Sequence, residues 1–346
     1  MAYSTINKPS DYFNTKLYTG TGSSNSVTGV GFQPDFTWIK NRDQADEHNI
    51  YDAVRGATKR IIPNNNTAEG TQSNGLSAFG SDGFTVIDSN ATNINNENYA
   101  SWNWKANGAG STNYDGSINS TVSVNQSAGF SIVTYSGNAT TGATIGHGLN
   151  SVPKMIIVKS RTNGADWWGT YHHSLGNTKA VWINDNNIQQ TRTYWNNTSP
   201  TSSVFTVSNE RSVNGSGETF VAYCFADVTG YSKFGSYVGN GSSDGSFCYL
   251  GFKPTWVMIK STSSGTESWF MYDNKRSESN PTNDALLANL TNTEYANSGT
   301  FTLDLLSNGF KLKNSDGSHN GHGNTYIYMA FGQSLVGSNN VPCTAR

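Results

Sequence analysis

The chain has 346 residues, of which 13% are charged and 35% hydrophobic, with a formal net charge of −2. That balance, with no basic run interleaved with aromatics, argues against a nucleic-acid partner, which needs a positive footprint. No apolar stretch approaches the roughly 20 residues of a membrane span, and the polar surface has to come from Asn, Ser, Thr and Gly, which suit turns and strands better than helices.

From the N-terminus, Met1 to Ser10 contains no apolar signal region, so synthesis in the cytoplasm without the usual export route is expected. A Tyr-x-Gly turn follows at Tyr18-Thr19-Gly20, and then a segment that runs from proline through an apolar strand to lysine, Pro34 to Lys40. The proline segment recurs as Pro153 to Lys159 and as Pro254 to Lys260, 119 and then 101 residues on, with Pro and Lys six apart each time. Such a period is too long for a solenoid unit and suits a small domain. The Tyr-x-Gly turn recurs at Tyr135 and Tyr237. A tyrosine follows each lysine (Tyr51, Tyr171, Tyr272), and a strand opening on phenylalanine comes later (Phe84, Phe205, Phe310). Each copy closes on an aromatic strand: Tyr99 to Trp104, Phe220 to Phe225 and Tyr326 to Phe331. Period-2 alternation puts Ala100, Trp102 and Trp104 on one face, as it does Val221, Tyr223 and Phe225, and Ile327, Met329 and Phe331. This bulkier face is expected to line the core of its own copy.

The fold class read from this pattern is all-β, as three tandem antiparallel β-sandwich domains. The best helical segment, Asn283 to Leu290, is short. The domain reading is repeat 1 over 1–108, a Gly/Ser/Asn-rich linker over 109–127, repeat 2 over 128–230, repeat 3 over 231–335 and a tail over 336–346. The long first junction and the short second one predict that repeats two and three pack more closely than one and two. Cys224, Cys248 and Cys343 lack metal or disulfide spacing and read as reduced apolar side chains. No cofactor and no metal is expected.

Three places invite a chemical reading. The segment Asp316 to His322 offers a carboxylate and two imidazoles, but in a Gly-rich loop with no strand or helix to hold ligand geometry. The cluster of Trp167, Trp168 and His172 sets imidazole beside aromatics, a combination used in sugar recognition. The third place is the loop before each last strand, over 88–97, 208–218 and 314–324. Its length is nearly constant and its content differs, as in recognition loops on a fixed scaffold. The candidate ligand-binding residues are therefore Asn95, Asn96, Trp167, Trp168, His172, Glu210, Arg211, Asp316, His319 and His322. No nucleophile elbow, phosphate loop or His-Glu-x-x-His motif occurs, and no acidic residue was found to repeat in all three copies. The chain reads as a non-enzyme.

Three stretches carry a resemblance: Tyr12 to Tyr18, Gly31 to Lys40 and Asp52 to Lys59, joined by Ala128 to Asn138, Lys233 to Gly241 and Tyr326 to Phe331. Together they resemble the repeat proteins encoded among structural genes of marine tailed bacteriophages, often labelled tail-fibre, tail or SPRY/concanavalin-like proteins. Copy two departs from the pattern at Tyr171-His172-His173, where the acidic partner of the tyrosine is missing. The resemblance implies jelly-roll or concanavalin-like sandwiches in a structural protein on the virion surface, most simply a tail or fibre appendage that contacts a host-surface glycan or receptor. The alternatives are a capsid decoration or head-fibre protein and a glycan depolymerase. The partners implied are other virion proteins and a host glycan, with no nucleic acid and no membrane insertion, and a homo-oligomer such as a trimer is expected.

Overall fold

A computed structural model describes residues 6–334; the expected tail over 336–346 and Cys343 lie outside the described residues. Among the described residues strands dominate, and helix is confined to two four-residue turns, Asn90–Asn93 and Arg211–Asn214, and a 3-10 turn at Pro9–Asp11. The segment expected to be helical instead carries the strand Leu286–Leu287. Its apolar residues are drawn into a sheet edge that tertiary contacts favour over local propensity.

Each copy builds the same main sheet, ordered first strand, last strand, proline strand, tyrosine strand. In copy one these are Phe13–Thr19, Asn98–Trp104, Phe36–Asn41 and Asn49–Asp52; in copy two, Phe130–Ser136, Thr219–Phe225, Met155–Ser160 and Gly169–His172. In copy three they are Ser232–Val238, Thr325–Ser334, Phe252–Ser261 and Trp269–Asp273. All neighbours are antiparallel, and the register repeats: Trp38 pairs Trp102, Ile157 pairs Tyr223 and Met258 pairs Met329. Each proline stands before or early in its strand, and in copy three a bulge between Pro254 and Trp256 absorbs the break in the ladder.

Against one face of each main sheet lies a smaller sheet holding the phenylalanine strand, Gly83–Val86, Val204–Val207 or Gly309–Leu312. Between the two sheets the same aromatic group forms three times. Tyr18 stacks on Tyr99, Tyr135 on Phe220 and Tyr237 on Tyr326, with centroids 5.0, 5.1 and 4.9 Å apart. Phe84, Phe205 and Phe310 meet these tyrosines edge-on at 6.0, 6.1 and 6.1 Å.

The bulkier face of the last strand points the other way. Trp102, Trp104, Tyr223, Phe225, Met329 and Phe331 belong to one apolar cluster drawn from all three copies. This corrects the expectation that the bulkier face lines the core of its own copy: each copy keeps a separate core between its two sheets, and the second face of its main sheet is covered by the other two copies. Trp104, Phe225 and Phe331, the aligned ends of the three last strands, touch pairwise with centroids 6.4, 6.1 and 5.6 Å apart. The cluster leaves a cavity of only about 10 Å³, lined by apolar groups including Trp38, Ile157 and Met258.

The expected linker is also corrected. Ser111–Asn113 and Ser120–Asn125 are strands that extend copy two's sheet beyond its first strand. Ser and Thr carry strands readily when one face stays in water, so composition alone misread them as linker. The three junctions form a ring, so copies one and two are joined directly, as are two and three and three and one. Glu69 N–H donates to Arg161 O (2.8 Å), Gln189 N–H to Thr262 O (3.3 Å) and Glu294 N–H to Arg42 O (2.9 Å). The last of these joins copy three back to copy one.

Replacing Trp104 with alanine removes the ring that meets both other copies, and a loss of about 3–5 kcal/mol is expected, as for large aromatic truncations in packed cores. The Trp104 indole N–H is buried without a partner, so Trp104→Phe is expected to lose clearly less. Urea denaturation of both variants checks the order; equal losses would contradict the packing assigned to this ring.

Candidate functional site

The three loops expected to vary are held to the body by a device repeated in each copy. The Tyr-x-Gly tyrosine donates its hydroxyl to a loop carbonyl: Tyr18 to Thr92 (2.6 Å), Tyr135 to Val213 (2.6 Å) and Tyr237 to His319 (2.7 Å). The next residue is asparagine every time, and it is buried. Asn214 accepts from Asn138 N (2.9 Å) and donates to Thr140 O (3.0 Å) and Ser208 O (2.8 Å). Asn320 accepts from Asn240 N (3.1 Å) and donates to Ser242 O and Asn314 O, both at 2.8 Å. Asn93 accepts from Thr21 N (2.9 Å) and donates to Ser23 O and Ile87 O. Each amide thus replaces a missing turn of backbone pairing and fixes where its loop stands. A sequence signal existed: Asn93, Asn214 and Asn320 each lie six residues before the first aromatic of the last strand.

On these fixed loops some expected residues reach solvent and others do not. Asn95, Asn96, Arg211 and His322 are exposed, and Glu210 and Asp316 are partly so. Arg211 pairs with Glu218 at 3.0 Å and with Asp166 at 3.5 Å, and Trp167, which packs edge-on against Trp182, is 37% exposed. Glu210 accepts from the Thr193 hydroxyl at 3.1 Å. Asp316 caps its own loop, accepting from Ser318 N at 2.8 Å.

Trp168, His172 and His319 are corrections. Trp168 is fully buried in the shared cluster, where its indole donates to Asn65 O of copy one at 2.9 Å. His319 is buried against Phe270 and bonds the Tyr272 hydroxyl. His172 takes Ser174 N on Nδ1 and donates Nε2–H to Tyr328 O of copy three at 3.3 Å. Burial pushes both imidazoles down to about 3, so they stay neutral. Glycine-rich or aromatic neighbours suggested exposure, yet the positions are set by packing between strands and copies.

Further buried polar groups lie at the seams. Lys40, Lys159 and Lys260, the lysines that end the proline segments, are wholly buried, and burial drives each ammonium down to about 8. Backbone carbonyls satisfy them: Lys159 donates to Asn66 O of copy one (3.0 Å) and Lys260 to Asn186 O of copy two (3.2 Å). Asp52 pairs with Arg55, and Arg55 Nη1 reaches Glu69 at 3.1 Å, which also takes Arg161 of copy two at 2.9 Å. Burial works against the Glu69 carboxylate, but hydrogen bonds from Arg161 and the charge of Arg55 hold it below the usual range. Asp273, Arg276, Glu294 and Arg42 repeat the arrangement between copies three and one. Among the described residues no group of three His, Cys, Asp or Glu is placed to hold a metal ion, and Cys224 and Cys248 are buried free thiols.

Residues 8–334 match the family described as "Domain of unknown function (DUF7483)", and the chain belongs to that family. The match runs through all three copies. No curated protein and no solved structure matches the chain.

Asn214→Ala is expected to lower stability by about 1–3 kcal/mol, because it strands buried backbone groups. Arg211→Ala, on the exposed part of the same loop, is expected to stay within about 0.5 kcal/mol of the parent. Thermal or urea melts of the two variants check the contrast, and an equal effect would mean that the loop is not held by its asparagine.

Proposed function

We propose that this chain is a non-enzymatic structural protein of a phage virion, exposed on the particle exterior as a tail or fibre appendage that contacts a host-surface glycan or receptor. On this reading each copy is a concanavalin-like sandwich, and the partners are other virion proteins at the base and the host surface at the loops. The carrying observation is the pairing of fixed loop supports with unlike loop surfaces. The Tyr and Asn anchors repeat in all three copies, while the groups in water are Asn95 and Asn96 in one, Glu210 and Arg211 in the next, Asp316 and His322 in the third. Anchors that repeat under surfaces that differ are what recognition loops on a rigid scaffold require. The resemblance to marine phage structural proteins points the same way. A threefold arrangement, expected from oligomerisation, is available within one chain, so three unlike surfaces can act together on one particle without a trimer.

The reading is tested on intact virions with antibody fragments raised against the purified chain. Gold label at the tail or its fibres, with adsorption to host cells blocked by the fragments, is the expected result. Label over the head with adsorption unchanged would overturn the appendage role and favour a capsid decoration protein.

A further inference from the structure

We infer that copy two carries a binding groove for an uncharged glycan, built by the two extra strands that the other copies lack. This rests on the reading of the chain as a glycan-contacting surface protein and names one place where contact occurs. The first strands of copies one and three, Phe13–Thr19 and Ser232–Val238, are sheet edges. In copy two the corresponding edge is continued by Ser120–Asn125 and Ser111–Asn113. The enlarged sheet holds a groove of about 220 Å³, lined by strand residues together with Arg161 and Thr219. That is far above the about 10–15 Å³ that a single water occupies.

The side chains of its floor are ordered by the sheet. Thr112 pairs Thr121, and Thr121 pairs Thr134, so three hydroxyls stand on neighbouring strands about 4.8 Å apart. Two residues along the same face, Ser136 pairs Thr219, about 6.6 Å from the first row. None of these five hydroxyls makes a hydrogen bond within the described residues, although each lies on a hydrogen-bonded strand. The same face has another fate farther along the strands: Ile132, two residues before Thr134, is buried in the shared cluster. A face that is apolar where protein covers it and hydroxyl-bearing where it emerges is suited to a ligand rich in hydroxyls.

Two further features select the chemistry. Arg161, the charged group of the groove, is already matched by Glu69 at 2.9 and 3.0 Å, which leaves little pull for an acidic sugar. Tyr114, the residue directly after the strand Ser111–Asn113, is 73% exposed. At the end of the strand that carries Thr112, it offers an exposed aromatic plane of the kind on which a pyranose ring stacks. The groove also adjoins the copy-two loop, since Thr219 follows Glu218 and Gly137 N–H donates to Glu218 O at 2.8 Å.

The test is an oligosaccharide array bearing neutral, uronate-containing and sialylated chains, probed with the full chain and two variants. One is Thr112→Val with Thr121→Val and Thr134→Val, which keeps the β-branched shape and removes the hydroxyls; the other is Tyr114→Ala. The parent is expected to bind neutral chains, and both variants to bind them at least about tenfold more weakly, as the loss of two or more hydrogen bonds or a stacking face implies. Should the triple variant fail to fold, Thr112→Val together with Tyr114→Ala, at two exposed positions, carries the same reading. Full binding by the variants would overturn the groove and leave glycan contact standing elsewhere on the chain. Binding confined to acidic chains would overturn the assignment of an uncharged ligand. A parent that binds no glycan would overturn glycan contact itself.

Discussion

Each main sheet is buried on both faces, and its own copy can cover only one. In the last strand of copy one, Tyr99 faces the small sheet while Trp102 and Trp104 face away, and all three are buried. Leaving a face of tryptophans in water would forfeit about 25 cal/mol for every Å² of apolar area. Three such faces turned toward one another satisfy the requirement together, and the arrangement closes only when all three are present. Most of the remaining architecture follows from this: a ring instead of a string, and aligned residues meeting at its centre.

The polar groups at the seams keep the ring in register. Burying charge is expensive, and pairing offsets the expense only where geometry is good. Asp52, Arg55, Glu69 and Arg161 meet that condition at one junction, and Asp273, Arg276, Glu294 and Arg42 at another. At the third junction the matching positions are His172 and Thr262, and hydrogen bonds from neutral donors replace the ion pairs. The indole of Trp269 donates to Trp182 O there at 2.8 Å, as Trp168 does to Asn65 O at 2.9 Å. The departure of copy two from the Tyr-Asp pattern is thus a change in how one seam is bonded, on the same scaffold.

Much of the fold was legible because its landmarks are strands with fixed spacing. The proline, phenylalanine and last aromatic segments became strands of equal register in all three copies, and the Tyr-x-Gly turns became the tyrosine anchors of the loops. What stayed hidden depends on partners distant in sequence. Period-2 alternation shows that Trp102 and Trp104 share a face but not which surface will cover them. The Ser- and Thr-rich stretch 109–127 looked like a linker because its hydroxyls suit water, and that same property makes Thr121 a half-exposed strand residue. Of the candidate residues, Asn95, Asn96, Arg211 and His322 stand in solvent. Trp168, His172 and His319 are buried, and an indole or imidazole accepted into a core looks the same in sequence as one left in water. The Asn93, Asn214 and Asn320 anchors were readable in principle, hidden only by how common asparagine is in this chain.

The central claim is that one shared core makes three repeats a single cooperative body. Native-state hydrogen exchange at the amides of Trp102, Tyr223 and Met329, which sit at equivalent places in the three last strands, tests it most directly. A shared core predicts that all three exchange only through global unfolding, with one common free energy and one common dependence on denaturant. Three distinct free energies, with one copy opening while the others stay protected, would contradict it.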